Sequence, residues 1–136
     1  MNEITEKIIG AAMKVHTALG PGLLESAYQA CLAYELCKLG LRFEKEKALP
    51  IIYETVRLDC GYRLDFVVEG KIILELKSVD IINPIHVAQL LSYLRISGLP
   101  VGLLLNFNVR SLKQGIRRVV NNFRSNSASS ASSAVK

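Results

Sequence analysis

Gly61-Tyr62-Arg63-Leu64-Asp65-Phe66-Val67-Val68 and Lys71-Ile72-Ile73-Leu74-Glu75-Leu76-Lys77-Ser78, separated by Glu69-Gly70, decide the fold. Each octapeptide reads as a strand rich in β-branched and other apolar residues, and Glu69-Gly70 marks the turn of a hairpin. Asp65, Glu75 and Lys77 do not belong in such strands, because an ionised group is costly to bury unless it is paired or binds a cation. Glu75 and Lys77, two apart, project to one face while Leu76 packs behind. Whether Asp65 joins them depends on register. A two-residue Glu69-Gly70 turn pairs residues whose numbers sum to 139 and sets Asp65 opposite Leu74. A three-residue Glu69-Gly70-Lys71 loop, with Gly70 left-handed and a bulge, gives a sum of 140 and sets Asp65 opposite Glu75.

Two carboxylates opposed across strands repel, and a bound cation would relieve that. Hard oxygen ligands in small number suit Mg²⁺ or Mn²⁺, and such a pair beside a lysine is a candidate divalent-metal phosphodiesterase site. From these residues alone the alternative stays open: an Asp65–Lys77 or Glu75–Lys77 ion pair in a half-buried sheet, with Arg63 as a further partner.

Outward from the hairpin, the chain offers one domain. Its 136 residues, 50% of them hydrophobic, suffice for a single core. The apolar runs VGLLLNF and KIILEL fall far short of the ~18 residues of a membrane span. The first 16 residues are interrupted by Glu3, Glu6, Lys7 and Lys14, unlike a secretory signal, so a cytoplasmic protein with no membrane partner is expected. Cys31, Cys37 and Cys60 contain no CxxC pair, which argues against a disulfide framework and a zinc site.

Helical spacing of Ile8, Ala12, Val15 and Leu19 predicts a helix over Asn2–Leu19, stopped by Gly20-Pro21-Gly22. A second helix over about 23–39 would turn Leu24, Tyr28, Cys31, Leu32, Leu36 and Leu39 inward. Three strands follow, near 42–52, 58–68 and 71–78, the first bent or at an edge because it contains Pro50. Asn83-Pro84 opens a helix to about Ile96, and VGLLLNF is a strand buried on both faces. Ser111 is expected to cap a last helix with Leu112, Ile116, Val119, Val120 and Phe123 inward. The order is ααβββαβα: an α/β protein with a mixed sheet flanked by helices. The domain is placed at residues 1–124, and the Ser/Ala-rich stretch 125–136 is expected to be a flexible tail.

Charge divides the chain unevenly. The formal net charge is +5, yet all 12 acidic residues lie at or before Asp80, and no Asp or Glu follows. Beyond it stand Arg95, Arg110, Lys113, Arg117, Arg118, Arg124 and Lys136. Such a one-sided field suits a polyanion, nucleic acid being the commonest; a solvated basic helix is the other reading.

With these residues in hand, Asp65 and Glu75-Leu76-Lys77 resemble the PD-(D/E)XK nuclease superfamily, and the chain is similar to its GxxExxY family. That family's motif stands as Gly22-Leu23-Leu24-Glu25-Ser26-Ala27-Tyr28, with Val15-His16 and Leu19-Gly20-Pro21-Gly22 before it. Gln89 with Tyr93, and Asn106-Phe107, follow in order. Leu64 replaces the leading proline of the signature. The resemblance implies a restriction-endonuclease-like fold and a metal-dependent nuclease. Asp65, Glu75 and the Leu76 carbonyl would bind Mg²⁺ or Mn²⁺, Lys77 would be catalytic, and Glu25, Gln89 and Tyr93 would support the site. Nucleic acid, with DNA favoured over RNA, would lie against Arg110, Lys113, Arg117 and Arg118. A homodimer or protein partner is left open, and a non-catalytic nucleic-acid-binding or assembly module on the same fold is the alternative. Glu25 would equally serve the positive end of its helix. His16 reads as a hydrogen-bonded structural residue rather than a base.

Overall fold

The computed structural model describes residues 1–122. Phe123, Arg124 and the expected tail lie outside the described residues. The elements are α1 (Asn2–Leu19), α2 (Glu25–Lys38), β1 (Phe43–Ala48), β2 (Ile51–Tyr53), β3 (Val56–Leu58), β4 (Arg63–Val68), β5 (Ile72–Lys77), α3 (Pro84–Ser97), β6 (Val101–Asn106) and β7 (Ile116–Val120). A short 3₁₀ turn, Leu112–Gly115, precedes β7. The main sheet has the order β1-β4-β5-β6-β7, with β5 and β6 parallel and the other pairs antiparallel. This is the mixed α/β architecture expected from the sequence. The helix α3 makes the crossover that joins two parallel neighbours.

Alternation along the strands divides the core into two layers. Phe66, Val68, Ile72, Leu74, Leu76, Leu103 and Leu105 pack with Ile8, Ala12, Val15, Tyr28, Leu32 and Leu36 of α1 and α2. On the other face Val67, Ile73, Leu104 and Val119 pack with Leu90, Tyr93 and Leu94 of α3. All six residues of β6 are buried, as a strand covered on both faces requires. The entry to α3 is fixed by the expected Asn83-Pro84 start, where His86 Nδ1 accepts the Asn83 backbone N–H at 3.0 Å.

Four expectations change. The stretch 42–52 is two strands, because the chain leaves the main sheet at Leu49-Pro50 and β2 pairs with β3 in a separate hairpin turning at Glu54-Thr55. The stretch 58–68 is not one strand: β3 ends at Leu58, residues 59–62 are irregular with Gly61 at a positive φ of 81°, and β4 starts at Arg63. Leu24 and Leu39, placed on the inner face of the second helix, are exposed at its ends. The last helix is absent: residues 116–120 form an edge strand antiparallel to β6. The spacing of Leu112, Ile116 and Val119 fits a helix, but Ile116, Val119 and Val120 are β-branched, and β6 offers an unfilled sheet edge. Gly115 separates turn from strand and packs so closely on the Asn106 carbonyl oxygen that a Cβ there would collide with it.

Candidate active site

The β4–β5 hairpin adopts the three-residue loop. Phe66 pairs with Leu74, Val67 with Ile73 and Val68 with Ile72, each pair summing to 140. Glu69 and Gly70 both have positive φ, 54° and 64°, and the Lys71 N–H donates to the Val68 carbonyl at 3.0 Å. These are the features of a left-handed turn followed by one extra residue.

Beyond Phe66–Leu74 the strands separate. Asp65 is the single β4 residue in neither ladder: it lacks a paired partner in β5, and Glu46, which stands opposite it in β1, is skipped as well. Leu64 packs in the same layer as Val67, so the alternation of β4 slips at Asp65. Side chains take over where the ladder stops. The Asp65 N–H donates to Glu75 Oε2 at 3.0 Å, and the Leu76 N–H donates to Asp65 Oδ2 at 2.8 Å. Each carboxylate thus satisfies a backbone donor that the separated strands leave without a carbonyl.

The electrostatics follow from burial. Glu75 is buried, and loss of solvent, reinforced by the Asp65 charge, pushes its carboxyl up to about 8. Desolvation also raises Asp65, against the Leu76 N–H, with further upward pressure from Glu46 and Glu25. Lys77, half-buried and paired with Asn106 of β6, opposes both shifts. Among the described residues it makes no ion pair, so neither the Asp65–Lys77 nor the Glu75–Lys77 bridge is formed.

Glu25 sits in the first turn of α2, and its Oε2 accepts the Ser78 N–H at 3.3 Å. Ser78 Oγ also donates to the Leu23 carbonyl at 2.7 Å, which joins the α1–α2 loop to the end of β5. Tyr28 holds that loop from below: its hydroxyl donates to the Gly20 carbonyl at 2.6 Å and accepts the Leu23 N–H at 3.1 Å. The hydroxyl therefore steadies the loop rather than Glu25 itself. The ring stacks on Phe107 with centroids 4.5 Å apart. Asn106 is buried and clamps the next turn, Nδ2 donating to the Val79 carbonyl at 2.9 Å while Oδ1 accepts the Val79 and Asn108 N–H groups.

From α3, Tyr93 is buried close enough to Glu75 for that charge to raise its phenol further, burial being the first cause. Its ring meets Tyr62 edge-on. Gln89 is exposed, and His86 is engaged at the helix start. Arg110 and Lys113 are exposed on the segment between β6 and β7; Arg117 and Arg118, adjacent in an edge strand, lie on opposite faces and form no common helical surface.

Two participants escaped the sequence reading. Glu46, with positive φ of 52°, brings a third carboxylate toward Asp65, and Gln29 Nε2 donates to Glu46 Oε2 at 2.7 Å. In sequence Glu46 is one of several alternating charges in an edge strand, and Gln29 is one turn beyond Glu25; only the irregular backbone singles Glu46 out. Among the described residues no group of three or more His, Cys, Asp or Glu is arranged to hold a metal ion. No helix among them is long and apolar enough to cross a membrane.

Comparison with known proteins adds one positive finding: residues 2–119 match the family model described as PD-(D/E)XK nuclease superfamily. No curated protein and no solved structure matches the chain.

Proposed function

Since the chain belongs to the PD-(D/E)XK nuclease superfamily, we propose that it is a Mg²⁺- or Mn²⁺-dependent nuclease of the GxxExxY type, acting on DNA in preference to RNA in the cytoplasm. The observation that carries this reading is the pair Asp65 and Glu75 at the opening of β4 from β5, each with one carboxylate oxygen held by backbone. Asp65 Oδ1 and Glu75 Oε1 accept no hydrogen bond from the described residues. They are hard donors in a desolvated setting where cationic charge is favoured, which fits a divalent ion. With the Leu76 carbonyl they would hold it. A bound ion of this kind supplies charge neutralisation at phosphate and a more acidic water.

The chain's own groups divide the remaining work. Lys77, on the Glu75 face of β5 and free of ion pairs, stabilises negative charge that develops on the phosphate as water adds and the P–O ester bond breaks. Glu25 fixes the Ser78 backbone and adds negative charge at the rim. Tyr93 closes the α3 side against water, and Gln89 lies exposed one turn before it, where it can meet the nucleic acid. The three cysteines are unpaired, in keeping with a reducing compartment.

Incubation of end-labelled single- and double-stranded DNA and RNA with the protein and Mg²⁺ or Mn²⁺ tests the proposal. Metal-dependent product that disappears with Asp65→Ala and with Lys77→Ala supports it. Salt-sensitive binding with no product under any metal would instead identify a non-catalytic binding module.

A further inference from the structure

A second feature lies at the C-terminal end of α1. Between the last turns of α1 and the segment that follows β6 is a cavity of about 390 Å³, walled by His16, Thr17, Gly20, Arg110, Ser111 and Lys113 among others. This is within the ~300–1,000 Å³ range of ligand clefts. No acidic side chain lines it, and among the described residues neither Arg110 nor Lys113 makes an ion pair. Two uncompensated cations and the Ser111 hydroxyl, all from the segment after β6, line it together with the Thr17 hydroxyl of α1. That combination of positive charge and neutral donors suits a phosphate group.

Both walls are tied to the candidate active site. One wall, Gly20-Pro21, begins the loop that Tyr28 and Ser78 fasten and that runs into Glu25. The other leaves β6 beside Lys77, where the Phe107 N–H donates to the Lys77 carbonyl at 2.9 Å. His16 Nε2 donates to the Val109 carbonyl at 2.8 Å and pins this segment to α1. The buried Gly115 seats the turn carrying Lys113 on the Asn106 carbonyl. The cavity is therefore held in fixed relation to the carboxylates.

We infer that this cavity binds a phosphate of the nucleic-acid strand flanking the scissile one. The placement along a substrate rests on the nuclease reading; the binding itself does not. The source is either an internal phosphodiester or a terminal 5′-phosphate.

Fluorescence anisotropy of a labelled oligonucleotide in EDTA over a series of KCl concentrations tests this with the intact chain. Wild type is compared with Arg110→Gln/Lys113→Gln and with Lys7→Gln/Lys71→Gln, an exposed pair elsewhere that removes the same charge. The cavity pair is expected to weaken binding about tenfold and to make the log–log salt slope shallower by about 1, with the control pair within about twofold of wild type. Thr17→Val, which keeps the charge, is expected to weaken binding by a smaller factor. Equal losses in both pairs, or none, would overturn the inference. An advantage for 5′-phosphorylated over 5′-hydroxyl strands, lost in the cavity variant, assigns a terminal phosphate; equal losses on both strands assign an internal one. Cleavage by the same proteins separates the two ideas: a cavity-dependent binding loss without cleavage in wild type sinks the nuclease reading alone, and metal-dependent cleavage with unaltered binding in the cavity variant sinks the cavity alone.

Discussion

Asp65 and Glu75 are joined by a hydrogen bond from the backbone of one to the side chain of the other: the Asp65 N–H donates to Glu75 Oε2 at 3.0 Å. The carboxylate at risk of repulsion is thus also part of the fold's hydrogen bonding, and its protonation state bears on stability. The Glu75 carboxyl titrates near 4.5 when exposed and near 8 in the folded chain. Between those values the folded state keeps a proton that the unfolded state has lost, so stability falls as pH rises. The contribution is fully present below about 4.5 and gone above about 8. Asp65, also raised, acts with the same sign. In EDTA, the urea midpoint is expected to fall from pH 5 to pH 8. The corresponding loss is on the order of 4 kcal/mol, since each tenfold difference in proton affinity is worth about 1.4 kcal/mol. Glu75→Gln should flatten most of that slope. Mn²⁺ should raise the midpoint at pH 8 in wild type and leave Glu75→Gln unmoved.

Asp65→Asn and Asp65→Ala are expected to differ in stability while agreeing in inactivity. The asparagine keeps an oxygen for the Leu76 N–H, whereas alanine leaves that part-buried donor without a partner, at a cost of about 1–3 kcal/mol. Urea denaturation in EDTA should rank wild type and Asn together above Ala. Isothermal titration with Mn²⁺ should show weakened binding in both variants.

Lys77→Ala should lower cleavage by about a hundredfold or more, comparable to removal of one charge-stabilising donor at a reacting centre. Since Lys77 makes no ion pair among the described residues, thermal stability should change little. A loss of activity accompanied by an equal loss of folded protein would contradict the assigned role.

Tyr28→Phe keeps the stacked ring and removes two hydrogen bonds, to the Gly20 carbonyl and from the Leu23 N–H. About 1–2 kcal/mol of stability should be lost. Amide exchange should quicken in the loop leading to Glu25 more than in β5. Uniform quickening would mean that the hydroxyl supports the whole core instead.

Gly115→Ala places a methyl against the Asn106 carbonyl oxygen, backbone that cannot rotate away. A destabilisation of about 1–3 kcal/mol is expected. Displacement of Lys113 should also weaken oligonucleotide binding in the anisotropy assay. Gly10→Ala, on open helix surface, is the control and should be neutral or slightly stabilising.

Much of this was legible in the sequence where local chemistry and periodicity agree. Asn2–Leu19 came out as written because its apolar spacing and its Gly-Pro-Gly stop point the same way. The hairpin register was legible because a one-residue slip moves every side chain to the other face, leaving two discrete choices that Asp65 and Glu75 distinguish. The 112–120 segment misled because Leu112, Ile116 and Val119 keep a helical spacing, while the sheet edge that Ile116–Val120 fills, β6, lies elsewhere in the chain. Glu46 and Gln29 were invisible for a different reason. Their meeting with Asp65 depends on a positive φ in a strand of alternating charge, for which sequence gives no sign when the residue is not glycine. The cavity joins His16 to Val109 across 93 residues, a separation no local pattern reports.

The return of β7 along β6 has a practical side. Val120 pairs with Val101, and the Asn121 N–H donates to the Pro100 carbonyl at 2.9 Å, at the end of the sheet remote from Lys77 and Asn106. Five strand steps of ~3.3 Å separate that end from the Lys77–Asn106 pair, about 17 Å of sheet. A surface tether or fluorophore attached at Asn122 would therefore hold the protein from behind, with the Lys77–Asn106 end of the sheet facing free solution for observation of single molecules.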